Sequence, residues 1–172
     1  MNRRLRPGWV IFGTAAIVIL LDQLSKRWIE GNLPIGESLV PFPSLVNFFT
    51  ITHFTNTGAA FGLLQGQSIL FVAIGIAVAV AIVIYMRYLP RDQFLVQLAL
   101  GLQLGGALGN MIDRVRQGHV TDFIFFHFWP AFNIADMAIV TGVGLMALLL
   151  LMQKDENPTK APAEGSAEEQ RA

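Results

Sequence analysis

Four long apolar runs dominate this chain, and they decide its solvent before any other feature is read. They extend from about Trp9 to Trp28, Ser68 to Tyr88, Phe94 to Met111 and Ile134 to Met152. A helix needs about 20 residues to cross the hydrocarbon core of a bilayer, and each run is near that length. A backbone in lipid must satisfy its own hydrogen bonds, which leaves helices and closed barrels. Runs this continuous do not alternate as barrel strands do. Composition agrees: only 14% of the 172 residues are charged, against roughly a quarter in soluble domains. The reading is an all-α membrane protein with four transmembrane helices forming one domain, residues 1–153. Arg3, Arg4 and Arg6 mimic the start of a signal peptide. No small-residue cleavage site follows Leu21, however; Asp22-Gln23-Leu24-Ser25-Lys26 comes instead, so this first segment reads as a retained helix.

Lysine and arginine orient the helices. Arg3, Arg4 and Arg6 precede the first, Arg87 and Arg91 lie between the second and third, and Lys154, Lys160 and Arg171 follow the fourth. The segment 29–67 has no lysine or arginine, and the segment 114–132 has Arg114 and Arg116. Both termini are therefore expected in the cytoplasm, with the two longer loops on the outer side. In the first of these loops, Leu45–Phe54 is rich in β-branched and aromatic residues, and Pro41, Pro43, Gly58, Gly62 and Gly66 flank it. A short strand pair on the membrane surface is expected there. Residues 154–172 are rich in Ala, Glu and Pro and read as a disordered cytoplasmic tail. Formal net charge is zero, so no basic field invites nucleic acid. The absence of cysteine excludes a thiol nucleophile, a thiolate-ligated metal and disulfides.

A charge near the hydrocarbon costs roughly 2.5–3.5 kcal/mol on insertion scales, so each one needs a reason. Asp22, Glu30, Glu37, Asp113, Asp122 and Asp136 all map to the outer half under this orientation. Asp22 and Lys26 are spaced for one helix face. They are either an ion pair that orients the first helix or a site where Lys26 meets a lipid headgroup. Asn110 and Asp113, followed by Arg114 and Arg116, read as a polar helix end with its own counter-ions or as part of a site. Asn56-Thr57-Gly58 reads as a turn. Gly101, Gly105 and Gly109 recur every fourth residue, the spacing of a close helix–helix seam.

Asp122 and Asp136 are the strongest candidate pair. Asn133 is a good N-cap for the fourth helix, which makes Asp136 its third residue; capping alone would account for an acid there. The functional alternative is that both acids reach one membrane edge and share a proton. One would stay protonated while the other acts as base, activating water without metal or cofactor. No serine lies in a Gly-x-Ser-x-Gly setting. His53, His119 and His127 lack a His-Glu-x-x-His arrangement and read as interfacial, like Trp28 and Trp129. A small ion- or proton-coupled transporter is the competing class, since intramembrane carboxylates also serve as relays. Carriers, however, hold their sites near the midplane between repeated halves.

Five blocks in order carry a further signal: Asp22–Lys26, Asn56–Phe61, Gly105–Arg114, Val120–Phe123 and Phe132–Asp136. With them the chain resembles lipoprotein signal peptidase, or signal peptidase II, up to about Gln153. Thr121 departs from the aliphatic residue expected beside the first aspartate. The resemblance implies an aspartyl protease of the bacterial cell inner membrane, with a small β-cradle on the outer (periplasmic) face built from part of 29–61. It implies substrates that are diacylglyceryl-modified prolipoproteins, cut just before the lipidated cysteine. It implies catalytic roles for Asp122 and Asp136. Asp22, Lys26, Asn56, Gly58, Asn110, Asp113, Arg114 and Asn133 would support the acids or the substrate. Membrane lipids are the expected surroundings, a monomer the expected state, and neither cofactor nor metal is expected. Because a helix N-terminus favours a charged carboxylate, Asp122 is the one expected to carry the shared proton.

Overall fold

The computed structural model describes residues 7–90 and 92–155. Its elements run α1 (Pro7–Asn32), β1 (Ser38–Leu39), β2 (Phe49–Asn56), α2 (Ser68–Met86), α3 (Phe94–Gln117), β3 (Val120–Phe126) and α4 (Ile134–Asp155). Four helices long and apolar enough to cross a membrane match the four runs. Three of them outlast the apolar stretches that announced them. The buried residues of α1 are Ile11, Ala15, Val18, Asp22, Lys26 and Ile29, spaced as one stripe of a helix. The stripe turns from apolar to ionic without leaving the interface with α3, so the helix continues to Asn32 past the expected end at residue 28. Likewise α3 passes the expected end at residue 111 and reaches Gln117. Asp113 therefore lies inside the helix and not just after it. Gly118 stops α3 with φ at 78°, a left-handed conformation that favours glycine. Of the expected tail, Lys154 and Asp155 belong to α4; the rest lies outside the described residues.

α3 is the central helix, and glycines let the others reach its backbone. A Cβ added to Gly101 would lie 2.7 Å from Thr14 Cβ, one at Gly105 would lie 2.7 Å from Val18 Cβ, and one at Gly109 would lie 2.7 Å from Asp22 Oδ2. The expected seam is thus the α1–α3 contact. On the opposite side, Gly106 abuts the Ala135 carbonyl of α4, and a Cβ on Gly142 of α4 would come within 2.7 Å of the Ala99 carbonyl. Dispersion between closely approached helices is what holds them in lipid, where no hydrophobic drive acts between them. α2 keeps only Gly75 and Ile82 buried; Ile69, Ile76, Val80 and Ile84 point outward, into what would be lipid.

The sheet has three strands in the order β1-β2-β3, antiparallel throughout. The expectation of strands within 29–61 accounts for β1 and β2. It missed β3, which had been read as part of the loop 114–132. β3 pairs Phe54 with Asp122 and Asn56 with Val120, and a register irregularity falls between Ile51 and Phe54. Phe48, Phe49, Phe126, Phe128 and Phe132 pack ring against ring on this sheet. The strand signal in 120–126 is obscured because Thr121 and Asp122 break the apolar run, Thr121 facing Glu30 and Gln117 of the helices and Asp122 facing Asn56 of β2 and Asn133 before α4.

Candidate active site

The site lies where the C-terminal ends of α1 and α3 meet the N-terminal end of α4 and the edge of β3. Its base is a buried ionic triad. Lys26 Nζ lies 2.9 Å from Asp22 Oδ2 and 2.8 Å from Asp113 Oδ2, and all three side chains are fully buried. The i,i+4 spacing gave the first contact; only the fold supplies the second. Burial at 0% exposure also overturns the alternative in which Lys26 meets a lipid headgroup. The third proton donor on Nζ goes to Asn110 Oδ1 at 3.0 Å. Asp22 in turn accepts the backbone N–H of Ala135 at 3.0 Å, which ties α1 to the first turn of α4, where a carboxylate is favoured by the helix dipole. Gln23, which the sequence had left without a role, donates to Asp113 Oδ1 at 2.9 Å.

Above the triad three asparagines frame the two acids. Asn133 caps α4 as expected: Asp136 N–H donates to Asn133 Oδ1 at 3.0 Å, and Asn133 N–H donates back to Asp136 Oδ2 at 3.2 Å. This is a reciprocal capping box. The same Asn133 donates through Nδ2 to Asp122 Oδ1 at 2.7 Å and to Asn110 Oδ1 at 3.2 Å. Asn110 Nδ2 donates to Asp136 Oδ1 at 2.7 Å. Asn56 Nδ2 donates to Asp122 Oδ2 at 3.0 Å, while its Oδ1 accepts the Gly58 N–H at 2.9 Å. Capping and pairing are therefore not rivals at Asp136; one asparagine does both. A probe at Asn133 would touch both acids at once. The separable handles are Asn56 for Asp122 and Asn110 for Asp136.

Asp122 is 3% exposed. Burial, and next the neighbouring Asp136, push its carboxyl up to about 7, against weaker opposing pulls from Asn56, Asn133 and Lys26. Desolvation and a like charge both disfavour the ionised form. Both acids line a cavity of about 910 Å³ that lies between α2 and α4, with α3 as its floor. Arg114 lines it too. Its guanidinium donates to the Gly58 carbonyl at 3.0 Å and lies 4.7 Å from the Phe71 ring centroid, while its buried Nε has no hydrogen-bond partner among the described residues. Gly58 is required by space: a Cβ there would strike the Leu63 carbonyl.

Asp22, Lys26, Asn56, Gly58, Asn110, Asp113, Arg114, Asp122, Asn133 and Asp136 all join this one network. The histidines do not: His53 bonds the Leu33 carbonyl through Nδ1, and His127 packs on Phe125. Among the described residues no cluster of three or more His, Cys, Asp or Glu could hold a metal. Thr121 is the second feature missed. Its hydroxyl donates to Glu30 at 2.7 Å and accepts from Gln117 at 3.1 Å, and Glu30 pairs with Arg116 at 2.8 Å. This clamp fastens β3 to α1 and α3 just beside Asp122. The unexpected threonine was its only trace in the sequence.

Fold and cleft together define a helical integral membrane enzyme, with its titratable groups gathered at one end of the bundle. A family model described as signal peptidase (SPase) II matches residues 14–152. The lipoprotein signal peptidase of Moorella thermoacetica is 48% identical over 142 residues, covering 83% of this chain and 93% of that protein. The lipoprotein signal peptidase of Pseudomonas fluorescens is 39% identical over 163 residues, covering 90% and 93%. A solved bacterial membrane enzyme superposes with a TM-score of 0.77 at 34% identity, over 86% of this chain and 92% of that one. The chain belongs to the signal peptidase II family and is a membrane protease. Neither the fold nor these relatives favour the transporter reading: Asp136 lies in the first turn of α4 and Asp122 on strand β3, outside the membrane-spanning helices.

Proposed function

We propose that this chain removes signal peptides from prolipoproteins, and that Asp122 and Asp136 are its catalytic acids. The observation that carries the assignment is that one asparagine, Asn133, hydrogen-bonds both carboxylates at the edge of one cavity. Two acids held in common can share a single proton. In the first step, ionised Asp136 takes a proton from a water molecule as that water attacks the scissile carbonyl. Protonated Asp122 donates to the carbonyl oxygen, giving a tetrahedral diol. In the second step the diol hydroxyl returns its proton to Asp122, Asp136 passes its proton to the departing amide nitrogen, and the C–N bond breaks. The elevated Asp122 carboxyl supports its role as proton carrier.

The remaining network positions these two groups. Asn56 and Asn110 each hold one carboxylate; the Asp22–Lys26–Asp113 triad anchors Asn110 and the start of α4. Arg114, whose side chain lines the cavity beside both acids, is a donor for a substrate carbonyl. The apolar cavity between α2 and α4 suits the hydrophobic segment of a signal peptide, and the diacylglyceryl chains would stay in the surrounding lipid. The distribution of lysine and arginine supports an inner-membrane orientation with both termini cytoplasmic and the acids toward the periplasm. The single domain of residues 1–153 works as a monomer, without cofactor.

The test is cleavage of a diacylglyceryl-modified prolipoprotein in detergent by the wild type and by Asp122→Asn and Asp136→Asn. Release of the signal peptide before the lipidated cysteine, insensitive to chelator and lost in both variants, is expected. Cleavage that survives both substitutions would remove the acids from the mechanism.

A further inference from the structure

Two polar residues of the cavity, Gln103 and Thr141, have no place in the catalytic network, and Gln103 has the longer reach. Gln103, Ala107, Asn110 and Arg114 form a single stripe of α3 along the cavity floor. Asn110 and Arg114 are absorbed by the site. Gln103 lies two helical turns from Asn110, about 10 Å at helical rise, and so well inside the membrane span Phe94–Gln117. The cavity walls are mostly apolar, among them Val78 of α2 and Val143 of α4, with Thr141 of α4 as an exception. No hydrogen bond ties its amide to another described residue. The bare Gly142 admits its stem: a Cβ there would lie 2.9 Å from Gln103 Cγ. A carboxamide at this depth is costly unless something satisfies it.

The substrate brings the matching deficiency. A signal peptide crosses lipid as a helix, but its scissile bond must leave the helix before water can attack. The last four carbonyls of any helix lack intrahelical partners, and here they would be stranded in hydrocarbon. An extended chain covers about 3.3 Å per residue, so the gap from the acids to Gln103 spans about three residues. We propose that Gln103 is a substrate-binding residue whose amide N–H groups cap the exposed carbonyls at the end of the signal-peptide helix, about three residues before the cleaved bond. It would thereby fix where the helix unwinds, and so which peptide bond reaches the acids. The inference rests on the signal-peptidase reading of the acids.

Isotope-edited infrared spectroscopy tests it directly. Lipidated substrates each carry one heavy carbonyl at a position two to five residues before the scissile bond, and they are bound to Asp122→Asn enzyme with and without Gln103→Leu. The expected result is that one labelled carbonyl near the third position absorbs at lower wavenumber and moves back up in the Gln103→Leu form. In enzyme with both acids intact, Gln103→Leu should raise KM about fivefold to tenfold, the worth of one intramembrane hydrogen bond, with kcat little changed. If no peptide carbonyl responds, or if only the ester carbonyls of the diacylglyceryl group do, the proposal is overturned. Cleavage persisting in Asp122→Asn would instead refute the acids, a separate outcome read in the same samples.

Discussion

Replacing Asn56 with alanine separates the two acids, because Asn56 touches Asp122 and not Asp136. Its amide donates to the Asp122 carboxylate at 3.0 Å and holds that carboxyl down against burial. A hydrogen bond to a charged group is worth about 1.5–3 kcal/mol and one to a neutral group about 0.5–1.5 kcal/mol, so its loss costs the ionised form about 1–1.5 kcal/mol more. At 1.36 kcal/mol per unit this is about one pKa unit upward. Asp122, pushed up to about 7 in the intact site, must be protonated to donate. Activity is therefore present below that value and lost as the pH rises through it. In Asn56→Ala the alkaline limb should move to about pH 8. The peak rate should fall, since the carboxyl is less well held. Relative to its own peak, however, the variant should retain about eightfold more activity than the wild type at about pH 8.5, from the two titration curves. The measurement is kcat/KM for a lipidated substrate from pH 5 to 9.5, beside Asn110→Ala, which acts on Asp136 and should alter the acid limb. Because interacting acids titrate as a pair, the limbs are apparent values of the pair. An alkaline limb that stays still or moves down in Asn56→Ala would refute the assignment of the shared proton to Asp122.

Lys26→Met should destabilise the fold by about 3–5 kcal/mol, since Asp22 and Asp113 are left buried without their cation; Asp22→Asn and Asp113→Asn added to it should restore much of the loss, read as thermal unfolding in detergent. Gly106→Ala should cost about 1–3 kcal/mol as an overpacked interface, and it should reduce cleavage as well, because the Ala135 backbone it strikes leads straight into Asp136. Gly13→Ala, with nothing near its Cβ, should instead be neutral or stabilise α1 by up to about 1 kcal/mol. Thr121→Val keeps the shape of the side chain but removes its bond to Glu30. A loss of about 1 kcal/mol is expected, and an unchanged unfolding temperature would show the clamp to be idle.

Apolar length alone determined the number of helices and the solvent, because lipid admits no other use for runs near 20 residues. Short-range spacing also determined the Asp22–Lys26 pair and the Asn133–Asp136 cap, since each is a contact within one turn of helix; it marked the glycine seam but not the helix that packs on it. Helix ends were misread where charge hides in an interface: Lys26 and Asp113 look like exits from the membrane, yet each is buried and neutralised by a residue far along the chain. β3 was invisible for a related reason: its Thr121 is answered by α1 and α3, and its Asp122 by Asn56 of β2 and the Asn133 cap of α4. Only the tertiary structure decided that Asn56, Asn110 and Asn133, from three separate elements, hold Asp122 and Asp136 together. Their contacts bridge 66, 26 and 11 residues of sequence. Such distances leave no periodic trace, because they are created when the helices pack and not when they form.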